Sequence, residues 1–245
     1  MKRQLPQQVI LRIITMIFFI AAFAFYSLIA FGLFQPTQHS KYSLAAENFR
    51  NGKLQPEDLL DFSTLYLQAH VLAQSLMGNS IVPMQWLQIL LTAFSIGIFF
   101  RILLRFFPLW LSVAGTIALL MQRSLIISAH SLDPESLLVF LLLAFLYLAG
   151  SKSFISHLLA GIFLALMILV RPDFSALILI LPAFFLLTNS ERNNALISSL
   201  VCAVPAITAL AVLWLQQAIT IGYFSWWIFV PGNAIYEGNN PISSG

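Results

Sequence analysis

No charge interrupts the chain from Ile13 to Phe34, and the first ionised side chain after Arg12 is Lys41. A bilayer core about 30 Å thick takes roughly 20 consecutive apolar residues per helix, and this run meets that length unaided. The rest of the chain is of the same kind: 60% of residues are hydrophobic and 9% charged, where soluble domains are about a quarter charged. The composition is that of an integral membrane protein. A secretory leader is the competing reading of MKRQLPQQVILR and its apolar continuation, but that stretch is longer than the 7 to 15 residues of a leader core. No small-residue cleavage pattern occurs at FGLFQP. The run reads as a retained first span.

Six further apolar stretches reach or approach spanning length: Val82 to Leu104, Leu109 to Ala129, Leu137 to Gly150, Ile155 to Val170, Phe174 to Leu187 and Ala195 to Gln216. With the first, Val9 to Phe34, they predict an all-α, polytopic bundle of about seven spans. The segments between them, RFFP, SAHSLDPES, GSKS, VRPD and TNSERNN, are rich in turn formers and charges. The whole chain reads as a single transmembrane domain: the first span to residue 34, an outer loop over 35–81, further spans over 82–217 and an outer tail over 218–245.

Seven spans alternate the loops between the two faces. With the N-terminus inside, the cytoplasmic side holds Lys2, Arg3, Arg12, Arg101, Arg105, Lys152 and Arg192 against Glu191. The outer side holds five cations, Lys41, Arg50, Lys53, Arg123 and Arg171, and the other eight of the nine carboxylates. The cation excess favours a cytoplasmic N-terminus, with the tail outside. The carboxylates place any acid-base chemistry outside. The formal net charge of +3 is scattered and no basic cluster exists, so nucleic acid is not an expected partner. The single Cys202 excludes an intrachain disulfide and reads as a small core residue.

Two outer segments exceed the length of a connector. In the first, SKYSLAAENFRNG has helical spacing at Tyr42, Leu44, Ala45 and Phe49 with Gly52 as its stop, and STLYLQAHVLAQSLMG is amphipathic, with Gln68, His70 and Gln74 among leucines. Both are expected to lie as juxtamembrane helices in the outer interface. The second is the tail, whose Tyr223, Trp226 and Trp227 suit an interfacial aromatic belt.

No Walker loop, GxGxxG, HExxH, CxxC or GxSxG motif is present. The candidates are charged clusters at the span ends, where charge is costly. Lys41, Glu47, Arg50, Lys53, Glu57, Asp58 and Asp61 in the first loop could accept a proton and hold a phosphate, or simply solvate the loop. Asp133, in SAHSLDPES, could face a ligand or cap a helix that starts with Pro134 and Glu135. His130 in the same segment lacks metal-ligand spacing, so no metal site is expected. Arg171 in VRPD could present its planar fork to a phosphate, snorkel to headgroups, or pair with Asp173. YEGNNPISSG, with Asn239 and Asn240, is a turn sequence.

The order of these pieces resembles the GT-C superfamily of membrane glycosyltransferases, nearest to bacterial glycosyltransferase family 39 and the aminoarabinose-transferase-like proteins. KYSLAAENFRNGKL is similar to that family's first-loop pattern, and FSTLYLQAHVLAQSLMGNS to its juxtamembrane helix, with Ser63 and Thr64 in place of prolines. LLAGIFLALMILVRPDFSALILILPAFFLL is similar to two spans joined by an Arg-Pro, and TIGYFSWWIFVPGNAIYEGNNPISSG to an outer loop ending in GNNP-x-x-x-G. The pattern covers about the first half of a usual member.

The resemblance implies transfer of a sugar from a polyisoprenyl-phosphate donor to an unspecified acceptor hydroxyl on the outer face of the bacterial inner membrane. It implies no cofactor beyond that lipid-linked donor, and membrane lipid as surroundings. An outer carboxylate would act as general base while cations stabilise the departing lipid phosphate. Family members carry an acid three or four residues before the loop tyrosine; relative to Tyr42 those places hold His39 and Gln38. The surviving acid is then Asp61, with His39 a stand-in by analogy. Lys41, Tyr42, Arg171, Asp133, Asn239 and Asn240 are the implied substrate-binding residues. A truncated or degenerate member that binds lipid-linked sugar or a partner without turnover is the alternative, favoured by the missing acid. A transporter component is the third, but the charges sit at span ends and no repeat is visible.

Overall fold

The structure is a computed structural model and describes residues 4–33, 41–53, 63–78, 81–188 and 192–221. Every regular element among the described residues is helical, as lipid requires, because a helix satisfies its backbone N–H and C=O groups within one segment. In order these are α1 (Gln4–Leu28, continued by a π-helical turn Ile29–Leu33), α2 (Lys41–Arg50), α3 (Thr64–Met77), α4 (Val82–Phe106) and α5 (Leu109–Leu120). Then come α6 (Arg123–Ser131), α7 (Glu135–Ala149), α8 (Phe154–Val170), a 3₁₀ turn Pro172–Ser175, α9 (Ala176–Thr188) and α10 (Arg192–Ile221).

Among the described residues, three stretches are long and apolar enough to cross a membrane: Gln8–Gly32, Val82–Phe106 and Asn194–Gln216. A fourth is added if α5 and α6, bent by 52° at Met121 and Gln122, make one span. The remaining apolar helices α7, α8 and α9 have 15, 17 and 13 residues. At 1.5 Å per residue they rise roughly 20 to 26 Å, short of a bilayer core of about 30 Å. The expectation of seven spans is therefore met in three or four helices by length. α10 also runs past the expected end at Gln216, to Ile221.

The surfaces are inverted relative to a soluble protein. On α1, Val9, Ile10, Ile13, Met16, Ile17 and Ile20 are exposed, and on α10 so are Ile197, Leu200, Val204, Ile207, Val212 and Leu215. Exposed apolar area on this scale has no place in water. Alanines and serines share the inside with larger apolar side chains, and such small residues let helices approach closely in lipid. The molecule is a helical membrane protein.

The chain divides into two compact units. The first comprises Met1–Ser40 and Ser80–Tyr147. Within it α1 and α4 run antiparallel, with ring contacts of Phe18 to Phe100 at 4.9 Å, Phe19 to Phe94 at 4.7 Å and Phe23 to Trp86 at 5.7 Å. Ala22, Tyr26 and Ala30, spaced one turn apart, pack with Ile89, Ala93 and Ile96 of α4 and with Leu125 and Ala129 of α6. The Tyr26 hydroxyl donates to the Leu120 carbonyl at 3.0 Å, an oxygen at the end of α5 that has no intrahelical donor.

The second unit comprises Lys41–Asn79 and Leu148–Gly245. Its centre is the α8–α10 pair. α8 buries His157, Ala160, Gly161, Leu164 and Ile168. α10 answers with Ala195, Ser199, Cys202, Ala206 and Ala209, a ladder of small residues at three- and four-residue intervals. At Gly161 the approach is so close that an added Cβ would overlap the Cys202 carbonyl and lie 3.0 Å from its carbonyl carbon and Cα.

The two helices expected in the first loop are present in this unit. α2 ends in a Schellman turn: the Lys53 N–H bonds the Asn48 carbonyl at 2.9 Å and the Gly52 N–H bonds that of Phe49 at 3.1 Å, with Gly52 at φ +66°. α3 is opened by Ser63, whose hydroxyl accepts the Tyr66 N–H at 3.4 Å, and closed by Gly78 at φ +77°. Its facing departs from the expected one in part: Gln68 is exposed, but His70 and Gln74 are buried beside Tyr66 and Leu67 while Leu72, Leu76 and Met77 are exposed.

Candidate functional site

α2 and α3 are joined by polar and aromatic contacts. The Gln74 amide donates to the Ser43 carbonyl at 2.9 Å, and the Arg50 guanidinium donates to the Gln74 carbonyl at 3.2 Å. Tyr42 is 4% exposed; its ring meets Tyr66 edge-on at 4.8 Å and stacks on His70 at 6.0 Å. The Tyr42 hydroxyl accepts the Ser63 N–H at 3.4 Å, so this side chain braces α2 against the start of α3. Lys41, the first residue of α2, is exposed, with its ammonium 5.3 Å from the Tyr42 ring centroid. The sequence places a cation beside a tyrosine; in the structure the tyrosine is buried and the cation is exposed.

His70 is 1% exposed and its Nε2 has no hydrogen-bond partner. Burial lowers its pKa from 6.5 to about 4, because charging the imidazole there would strand an ion among rings. The folded value lies below the ordinary one, so the unfolded segment binds the proton more readily. The stabilisation is complete above about pH 6.5 and is lost as pH falls to about 4, up to about 3 kcal/mol. Protection of the α2 and α3 amides against hydrogen exchange, taken relative to the unfolded chain at each pH, is expected to fall as pH is lowered across that window, and His70→Phe to abolish the dependence. Protection that stays constant from pH 6.5 to pH 4 would count against it.

α3 packs on α8, and α8 ends at Arg171. The Arg171 guanidinium donates to the Asp173 carboxylate at 3.2 Å, with side-chain exposures of 53% and 50%. Of the three fates open to Arg171 in the sequence, pairing with Asp173 is the one observed. A surface pair of this kind is worth about 0 to 1 kcal/mol, little enough to be given up to a stronger anion. Lys41, Tyr42 and Arg171 thus belong to one unit, whereas Asp133 belongs to the other.

Asp133 lies between α6 and α7, and its backbone carbonyl accepts the Gln88 amide at 2.7 Å. The Leu138 N–H bonds the Pro134 carbonyl at 2.9 Å, so Pro134 rather than Asp133 stands at the helix boundary. Leu132 before it is fully buried at φ 56°, a left-handed conformation that costs a non-glycine residue about 1–2 kcal/mol. Asp61, His39, Asn239 and Asn240 lie outside the described residues.

A second polar feature is not anticipated by the sequence reading. Gln85, Gln88, Thr92 and Ser95 form a buried stripe along α4, and both amide atoms of Gln85, at 0% exposure, lack a partner. The three-four-three spacing in QWLQILLTAFS could have disclosed it, since polar residues so placed share one helix face. Among the described residues no group of three or more His, Cys, Asp or Glu side chains could hold a metal ion.

No family model, curated protein or solved structure matches the chain.

Proposed function

We propose that the chain is a membrane glycosyltransferase of the GT-C kind, moving a sugar from a polyisoprenyl-phosphate donor to an acceptor hydroxyl on the outer face of the membrane. In this reading the N-terminus is cytoplasmic, and the shorter helices α7 to α9 complete seven crossings within the bundle. Asp61 removes the acceptor proton as the oxygen attacks the anomeric carbon, and Lys41 and Arg171 stabilise the lipid phosphate that departs. The observation that carries the reading is the occurrence of two exposed cations, Lys41 and Arg171, at helix ends within one compact unit. Neither is committed to a strong partnership: Arg171 has an exposed, weak pair, and Lys41 leans on a ring.

Membranes containing the chain, supplied with a labelled lipid-linked sugar and an extract of envelope acceptors, are expected to transfer label. Absence of transfer by the unaltered chain would defeat the enzymatic reading. Gln38 and His39 at the family's acid positions favour a second reading, in which the chain binds lipid-linked sugar without turnover. Retention of labelled donor with no transfer would select it.

A further inference from the structure

We propose a second site, independent of the transferase reading: a groove between α1, α4 and the end of α7 binds an anionic lipid, with its phosphate held by Arg12 and Arg101. The groove has a volume of about 370 Å³, and its polar lining is Arg12, Arg101, Thr15 and Tyr147. Because α1 and α4 are antiparallel, Arg12 near the start of one and Arg101 near the end of the other reach the same end of the pair. The hollow exists because position 97 is glycine. A Cβ there would already be 3.7 Å from Thr15 Cγ2, so any larger side chain would grow into the space.

Three arginines described at this end are used differently. Arg105 is engaged, donating to the Tyr147 carbonyl at 2.9 Å with its guanidinium 4.3 Å from the same ring's centroid. Arg12 and Arg101 make no hydrogen bond or ion pair with any described residue, and no carboxylate of a described residue lines the groove. Two guanidinium groups at a span end, without a counter-charge among the described residues, call for an anion. Their planar forks suit phosphate oxygens in particular.

The walls decide which anion. Met16, Phe19, Phe94 and Ile98 continue from the arginines toward the middle of the helices, and Met16 and Phe94 are exposed to the surroundings of the bundle. Free phosphate would leave these walls uncovered, whereas a lipid sets its headgroup on the arginines and its chain along them. The size is in the range of small-ligand sites, about 300–1,000 Å³.

The test uses the full chain, purified in mild detergent, delipidated and examined by native mass spectrometry with added phosphatidylglycerol, phosphatidylcholine or inorganic phosphate. Phosphatidylglycerol is expected to stay bound at least about tenfold better than phosphatidylcholine, the worth of one charge-assisted contact. The double variant Arg12→Gln/Arg101→Gln should lose that preference, and Gly97→Leu should lose it by filling the hollow. Arg123→Gln, away from the groove, should keep it. Equal retention of the two lipids by the unaltered chain, or an unchanged preference in the double variant, would overturn the proposal. So would stabilisation by inorganic phosphate as large as that by phosphatidylglycerol, since the apolar walls would then contribute nothing.

Discussion

A chain carrying Gly161→Val is expected to accumulate as aggregate rather than as folded protein. The Cβ of any residue at 161 collides with the Cys202 backbone, and backbone, unlike a flexible side chain, cannot swing away. α8 and α10 would have to separate along the ladder of Ala195, Ser199, Cys202, Ala206 and Ala209. In lipid no hydrophobic drive compensates, because helix association there rests on close packing. Overpacking a core by a methyl group costs about 1–3 kcal/mol; Gly161→Ala should show that loss as a lowered thermal midpoint in detergent. Valine adds two further methyl groups against the same wall and should exceed what the pair can bear. The control is Gly32→Ala, where the nearest atom is the Leu28 side chain at 3.9 Å. A Gly161→Val protein of normal yield and midpoint would show that the two helices are not so closely packed.

The second large effect concerns chemistry. Asp61→Asn keeps the size and hydrogen-bonding shape of the side chain but cannot accept a proton, so it is expected to lower sugar transfer by about 10²- to 10⁴-fold. Arg171→Ala and Lys41→Ala, which remove cations proposed to face the leaving phosphate, should each cost about 10²- to 10³-fold. The split between binding and turnover separates their roles. Asp61→Asn should retain labelled donor on the membranes while failing to transfer it, and Arg171→Ala should lose donor as well. Unchanged transfer in Asp61→Asn would remove it as the base, and unchanged transfer in both cation variants would dissolve the proposed phosphate site.

Much of the fold was legible because membrane helices announce themselves by uninterrupted apolar runs. The juxtamembrane helices were legible for a different reason. Gly52 and Gly78 both adopt positive φ, and a glycine after a periodic segment is the cheapest way to stop a helix. Helix length was less readable. The run from Leu109 to Ala129 looks like one span, but a break at Met121 and Gln122 divides it into α5 and α6. For side chains the sequence identifies type but not facing. His70 and Gln74 look like the water side of an amphipathic helix and are buried, and the sequence does not disclose that Tyr42 is buried with its hydroxyl on the Ser63 N–H. Which face of α3 turns inward depends on α2 and also on α8, and α8 lies far from it in sequence. Arg171 and Asp173, two residues apart, form a pair that local spacing did allow.

The proposed site requires Lys41 and Arg171 to meet the same side of the membrane, and that depends on an even number of crossings between them. Single cysteines report it directly, because the natural Cys202 is fully buried and can be replaced by alanine. In that background Lys41→Cys and Asp173→Cys should react with a membrane-impermeant maleimide in intact cells. Lys152→Cys, one crossing away through α8, should react only after permeabilisation. Labelling of Lys41→Cys and Asp173→Cys from opposite sides, or protection of both in intact cells, would contradict a common outer site.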